Sequence, residues 1–166
     1  GLTGRMDDLR FSITLSYRER RPMSKTRVLF LCTGNSARSQ MAEAFLRKHG
    51  GRRYEVFSAG FQPREMDPLV PRVMAEKGYH LSDQYAKSVT KYMGKVHFGY
   101  LITLCRKAND LCPRTFPDIS NRLHWEFPDP MEARGTEEER LRVFRAVRDA
   151  IEKKILHWLE EDPGTC

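Results

Sequence analysis

The sequence predicts an α/β fold: three layers, with a four-stranded parallel sheet carrying helices on both faces. Three observations lead there. Short apolar runs, typical of strands buried on both sides, occur at residues 28–32 and 100–104. Other stretches place apolar residues every three or four positions, the mark of amphipathic helices. Strand-like and helix-like stretches alternate along the chain, and such alternation builds a parallel sheet covered by helices.

Residues 1–23 are polar without sustained periodicity and read as a poorly ordered extension; 24–162 read as one domain, and 163–166 as a short tail. The first strand is 28–32. Thr33, Gly34, Asn35 and Ser36 then supply turn chemistry. A helix begins at Ser39, with Met41, Ala42, Phe45, Leu46 and His49 on one face, and Gly50-Gly51 stops it. Residues 54–58 alternate as a second strand. Asp67 caps a helix that has Pro68 in its first position, Val70, Val73 and Met74 on its face and Gly78 at its close. Residues 80–98 read as a loop with one short helix. The third strand, 100–104, ends at Cys105. A loop with Cys112, Pro113 and Pro117 follows, then a short fourth strand at 123–126. Thr136 and Glu139 form a capping box behind Gly135. The last helix repeats Leu141, Phe144, Val147, Ile151, Ile155 and Trp158 every three or four residues, with Arg140, Arg142, Arg145 and Arg148 on its solvated side.

The 166 residues suffice for a core that needs neither metal nor disulfide. Lys and Arg number 29 against 22 Asp and Glu, a net charge of +7 that suits an anionic partner of any size. The basic residues are scattered, and Trp125 and Trp158 suit packing, so nucleic acid is not expected. No apolar run approaches the ~18 residues of a membrane span, so no membrane partner is expected. Residues 11–15 are too short for the core of a signal peptide, which points to a reducing, cytoplasmic setting. Cys32, Cys105, Cys112 and Cys166 are too few for a disulfide scaffold and there read as reactive thiols, apart from Cys166, which has no motif around it. No Cys-x2-Cys occurs and only His124 lies near Cys105 and Cys112, so no metal is assigned.

The chemistry concentrates at Cys32-Thr-Gly-Asn-Ser-Ala-Arg38-Ser39, between a strand and a helix. Such a loop can turn the amides of Thr33, Gly34, Asn35, Ser36 and Ala37 toward an anion, and the helix start adds unpaired N–H donors. Arg38 can grip two oxygens of a tetrahedral oxyanion as a fork. The same field favours a thiolate, making Cys32 a nucleophile at neutral pH. Ser39 is placed to donate to that sulfur, and Asn35 to fix the loop. Cys105 closes a second buried strand. In a parallel sheet both strand ends lie on one edge, and if these two strands are neighbours, a spacing of ~4.8 Å brings the two cysteines near disulfide range. If its loop moves, Cys112 can then attack Cys105, passing oxidising equivalents outward. Asp129-Pro130 is either a turn or the general acid that protonates a departing oxygen.

The Cys32 loop followed by Gln40-Met-Ala-Glu43, the stretch from Leu101 through Cys105 to Cys112-Pro113, and His124-Trp-Glu-Phe-Pro-Asp-Pro130 with residues 135–139 resemble the low-molecular-weight tyrosine phosphatase superfamily, and within it the thioredoxin-coupled arsenate reductases. The resemblance runs from about Thr26 to Leu159. It implies a phosphatase-like fold and a catalytic domain in which Cys32 is the nucleophile, Cys105 the first resolving thiol, Cys112 the second and Asp129 the acid. It implies arsenate as substrate, thioredoxin as reductant and no organic cofactor, in a chain expected to be monomeric. Met131-Glu132 stand where the phosphatases commonly carry tyrosines. Ala37 replaces a cysteine common in relatives. Some reductases bind potassium beside the loop; Asn35, Glu43 and Ser58 match that site, but Ser88 stands where an acidic ligand belongs. Two rival readings are a phosphomonoesterase that uses Cys32, Arg38 and Asp129 alone, and an oxyanion or redox sensor without turnover.

Overall fold

A computed structural model describes residues 24–162, so the extension, the tail and Cys166 lie outside the described residues. Four parallel strands, β1 (Thr26–Cys32), β2 (Tyr54–Gly60), β3 (Phe98–Thr103) and β4 (Ile119–His124), form one sheet in the order β2-β1-β3-β4. The helices are α1 (Arg38–Gly50), α2 (Leu69–Ala75), α3 (Arg106–Leu111) and α4 (Glu137–Glu161).

β1 is central, and its residues explain the layering. Val28 and Phe30 point to one face, Leu29 and Leu31 to the other, and all four are fully buried. The first pair packs beneath α1, α2 and α4, with Met41, Phe45, Val73, Phe144 and Ile151. The second packs with Phe98, Leu101, Cys112 and Phe116 under the segment around the 3-10 turn Val89–Lys91 and the loop after α3. That turn is the one short helical piece of residues 80–98.

Capping follows sequence logic. The Asp67 carboxylate accepts from the Leu69 N–H at 2.9 Å, and Thr136 and Glu139 exchange bonds at 3.2 Å. Three expectations need correction. The segment after Cys105 is not all loop: α3 fills 106–111, capped by a cysteine sulfur and too short to show a periodic stripe. The fourth strand is Ile119–His124, not 123–126. It is a half-exposed edge strand that pairs only with β3, so it carries no apolar run, and Trp125 follows it as a buried packing residue. Arg148 is not on the solvated side of α4: it is 8% exposed and donates to the Val73 carbonyl and to Glu76, tying α4 to α2. Among the described residues, no helix is long and apolar enough to cross a membrane.

Candidate active site

β1 delivers Cys32 to the C-terminal edge of the sheet, where parallel α/β sheets open their ligand crevices. The loop beyond is held from outside. The carbonyls of Thr33, Gly34 and Ser36 accept from the N–H groups of Gln62, Arg64 and Asp67 at 2.9, 2.9 and 3.1 Å, and Gln40 Nε2 reaches the Asn35 carbonyl at 2.9 Å. Across a trans peptide the N–H points away from the preceding carbonyl. Carbonyls tied outward therefore turn the amides of Gly34, Asn35, Ser36 and Ala37 inward. Asn35 has φ 50°, the left-handed conformation that makes successive amides converge. Its N–H already donates to Cys32 Sγ at 3.1 Å. α1 begins at Arg38 with no side chain capping it, leaving its first-turn donors for an anion. The Ala37 methyl, in the cap position, competes for none of them.

Gly60 is the wall against which this loop closes. A Cβ there would lie 2.7 Å from the Thr33 carbonyl oxygen and 2.8 Å from the Asn35 nitrogen. This requirement escapes the sequence reading, because the glycine serves a chain segment 25 residues away.

Hydrogen-bond polarity behind the loop is determined by Asn35. Its Oδ1 accepts from the Lys87 backbone N–H at 2.9 Å, so its Nδ2 must donate, to Ser39 Oγ at 2.7 Å and Ser58 Oγ at 2.9 Å. Ser39 Oγ, taking that bond, is free to give its proton to Cys32 Sγ, 2.8 Å away. Ser58 in turn donates to Glu43 Oε1 at 2.8 Å. Gln40 also donates to the Tyr85 carbonyl at 2.9 Å.

The positions matched to a potassium site carry other contacts. Ser88 turns away, its hydroxyl 2.9 Å from Thr90 Oγ1. The buried Lys87 head group instead lies among the oxygens of Tyr85, Ser58 and Glu43, at 2.7, 3.4 and 3.8 Å. Burial pushes the Lys87 ammonium down, and Glu43 opposes that shift. A monovalent cation does not fit beside it. Neither Lys87 nor Gln40 stands out in the sequence; each is one polar residue in an unpatterned stretch.

Arg38 is 9% exposed, donates to the Phe127 carbonyl at 3.1 Å and lies 3.7 Å from Asp129. The Asp129 carboxylate accepts from the Met131 N–H at 3.0 Å, and Ser36 donates to the Met131 sulfur at 3.1 Å. A cavity of about 670 Å3 is lined by Cys32, Ser36, Arg38, Arg64, Cys105 and Asp129 among others. Cys105 packs with Cys32 and Ala108, its sulfur 3.5 Å from Thr33 Oγ1, and it caps α3 by accepting the Ala108 N–H at 3.4 Å.

Cys112 is elsewhere. It sits beyond the far end of α3, 4% exposed, in the core of the opposite face. It lines a second cavity of about 490 Å3 with Asn109, Arg114 and Arg122. Burial pushes its thiol up, against a smaller opposing effect of Arg122. Arg122 fastens this end of α3, donating to the carbonyls of Asn109, Pro113 and Cys112 at 2.9, 3.0 and 3.3 Å. The fold thus gathers Cys32, its loop, Arg38, Ser39, Cys105 and Asp129, and holds Cys112 apart.

A sheet-edge cysteine, a loop of inward amides and an arginine at the helix start define a phosphatase-like oxyanion fold. Residues 27–162 match the family described as low molecular weight phosphotyrosine protein phosphatase, and the chain belongs to that family. Its curated relatives include the arsenate reductase of Halalkalibacterium halodurans, 41% identical over 138 residues that cover 83% of this chain and 98% of the relative. The arsenate reductase of Bacillus licheniformis is 43% identical over 139 residues, with the same coverage of both chains. Among solved structures, a thioredoxin-dependent arsenate reductase of Corynebacterium glutamicum is 26% identical, with a TM-score of 0.63, covering 95% of this chain and 71% of that one.

Proposed function

We infer that the protein is an arsenate reductase of the thioredoxin-coupled type, using Cys32, Cys105 and Cys112 in turn. The observation that carries this reading is the packing of Cys105 against Cys32 at one cavity: phosphate-ester hydrolysis has no use for a second thiol there.

Arsenate docks on the inward amides and Arg38. The Cys32 thiolate, receiving bonds from the Asn35 N–H and Ser39, attacks arsenic, and Asp129 protonates the oxygen that leaves as water. Cys105, as thiolate, then attacks Cys32 Sγ. A sulfur–sulfur bond forms, the sulfur–arsenic pair stays on arsenic, and As(V) departs as As(III). Cys112 attacks Cys105, frees Cys32 and leaves a Cys105–Cys112 disulfide, which thioredoxin reduces. The catalytic unit is a cytoplasmic monomer, and nucleic acid and membrane play no part.

Turnover with arsenate, thioredoxin, its reductase and NADPH tests the scheme. Cys32→Ser and Cys105→Ser lose steady-state turnover. Cys112→Ser gives about one arsenite per chain and accumulates a Cys32–Cys105 disulfide visible by peptide mass mapping. Asp129→Asn slows the single-turnover step with little change in phosphate binding. A Cys105→Ser protein that cycles at the wild-type rate refutes the relay and leaves a phosphomonoesterase.

A further inference from the structure

The network behind the loop holds a positive charge that the scheme above does not use. Lys87 is 8% exposed. Its ammonium has three hydrogens and three oxygen neighbours: the Tyr85 carbonyl at 2.7 Å, Ser58 Oγ at 3.4 Å and Glu43 Oε1 at 3.8 Å. The Tyr85 ring flanks it, 4.8 Å from nitrogen to centroid, and Lys91 approaches the same ring at 4.9 Å. Arg47 takes the other oxygen of Glu43 at 3.0 Å. The Lys87 backbone does separate work, donating to Asn35 Oδ1 and accepting the Gly60 N–H at 2.8 Å. Those main-chain bonds survive replacement of the side chain, so the two roles can be separated.

We propose that the Lys87 ammonium is a built-in monovalent cation: a positioning residue that orders the Glu43–Ser58–Asn35 network behind Cys32 and makes the loop independent of potassium. The proposal rests on the reading of Cys32 as the nucleophile. Glu43 is almost fully buried, and a buried carboxylate needs its counter-charge in place. With Glu43 neutralised from both sides, Ser58 keeps donating to it and keeps its lone pairs for Asn35. The Asn35 amide then stays oriented with Nδ2 on Ser39, and the Ser39 proton stays on the sulfur. An ion beside the ammonium would meet a like charge. Removing the ammonium would leave three oxygens around a gap of its own size, which potassium or ammonium can fill.

The test follows iodoacetamide alkylation of Cys32 against pH, by peptide mass mapping of the full chain, at constant ionic strength in potassium or tetramethylammonium chloride. The expected wild-type profile is the same in both salts. Lys87→Met moves the profile to higher pH in both, and kcat with arsenate falls about 10-fold, the usual cost of losing an outer-shell partner, with KM little changed. Lys87→Ala shows the same defect in tetramethylammonium and regains the wild-type profile in potassium or ammonium. A wild-type profile that depends on potassium overturns the proposal, even if both variants fail to fold. A Lys87→Met profile and kcat equal to wild type overturn it too. A wild-type Cys32 that alkylates no faster than an unfolded thiol is a different failure: it removes the nucleophile itself.

Discussion

At the scale of single residues, the site depends on backbone as much as on side chains. The Cys32 and Arg38 side chains stand out in the sequence because their spacing between a strand and a helix is fixed, and Asp129 stands out only through the family resemblance. The features that would position them are less so. Gly60 matters through the atom it lacks, Asn35 through a left-handed φ, and Lys87 through burial that only the folded chain creates. Gly60 gives a direct prediction. A methyl there would press on the Thr33 oxygen and the Asn35 nitrogen, which are backbone atoms that cannot swing aside. The loop must shift by several tenths of an ångström, and its amides lose their common focus. Gly60→Ala should therefore weaken phosphate binding at least 10-fold by calorimetry, in line with the sensitivity of positioned donors to small displacements. Far-ultraviolet circular dichroism should stay that of the wild type, because β2 pairs with β1 through its whole length whichever residue ends it. Unchanged phosphate affinity would show that the loop does not close on Gly60.

At the scale of elements, α3 is the part that the proposed relay requires to move. Cys105 and Cys112 bracket it, and seven residues of helical rise separate them by about 10 Å. A disulfide needs roughly 4.4–6.8 Å between Cα atoms, so the second exchange requires α3 to unwind. In the proposed relay the first exchange would prepare this. The Cys105 sulfur is the cap of α3, and bonding to Cys32 takes it from the Ala108 N–H. A six-residue helix has little cooperativity to spare once its cap is gone. Until then Cys112 is held as a thiol by burial, which stops it acting out of turn. Arg122 is the opposing fastener, and losing its charged hydrogen bonds costs about 1.5–3 kcal/mol where they are satisfied and less where solvent competes. Arg122→Ala should thus speed alkylation of Cys112 in the reduced protein about 10-fold, with Cys32 alkylation unchanged; equal Cys112 rates would mean that α3 opens without regard to this residue. The sequence shows both cysteines but not the helix between them, since one and a half turns offer no periodic stripe and a sulfur cap resembles none of the usual capping residues. β4 is obscured for the complementary reason: a half-exposed edge strand has no apolar run. The central strands, α1, α2 and α4 are legible because burial on both faces, or along one stripe, writes a pattern long enough to read.

At the scale of the whole molecule, the most buried strand and the candidate nucleophile belong to the same element. β1 contributes Val28, Phe30, Leu29 and Leu31 to both cores and ends in Cys32, so the site cannot be distorted without disturbing the packing, nor the packing loosened without opening the site. The loop amides converge only in the folded chain, and an anion that binds there binds the native state alone. Linkage then requires oxyanions to stabilise the whole fold: phosphate at 100 times its dissociation constant adds about 2.7 kcal/mol, worth a rise in Tm of roughly 5–10 °C for a chain of this size. Phosphate also stabilises proteins generally by exclusion from their surface, but that effect grows steadily with concentration and requires no site. The two separate by shape and by mutation. Site binding bends the plot of Tm against phosphate into a logarithmic rise at low concentration, and Arg38→Ala, which removes the fork beneath the loop, should flatten that rise and keep the linear part. If wild type and Arg38→Ala show the same linear increase, the folded loop holds no oxyanion, and the chemistry assigned to Cys32 has no substrate to act on.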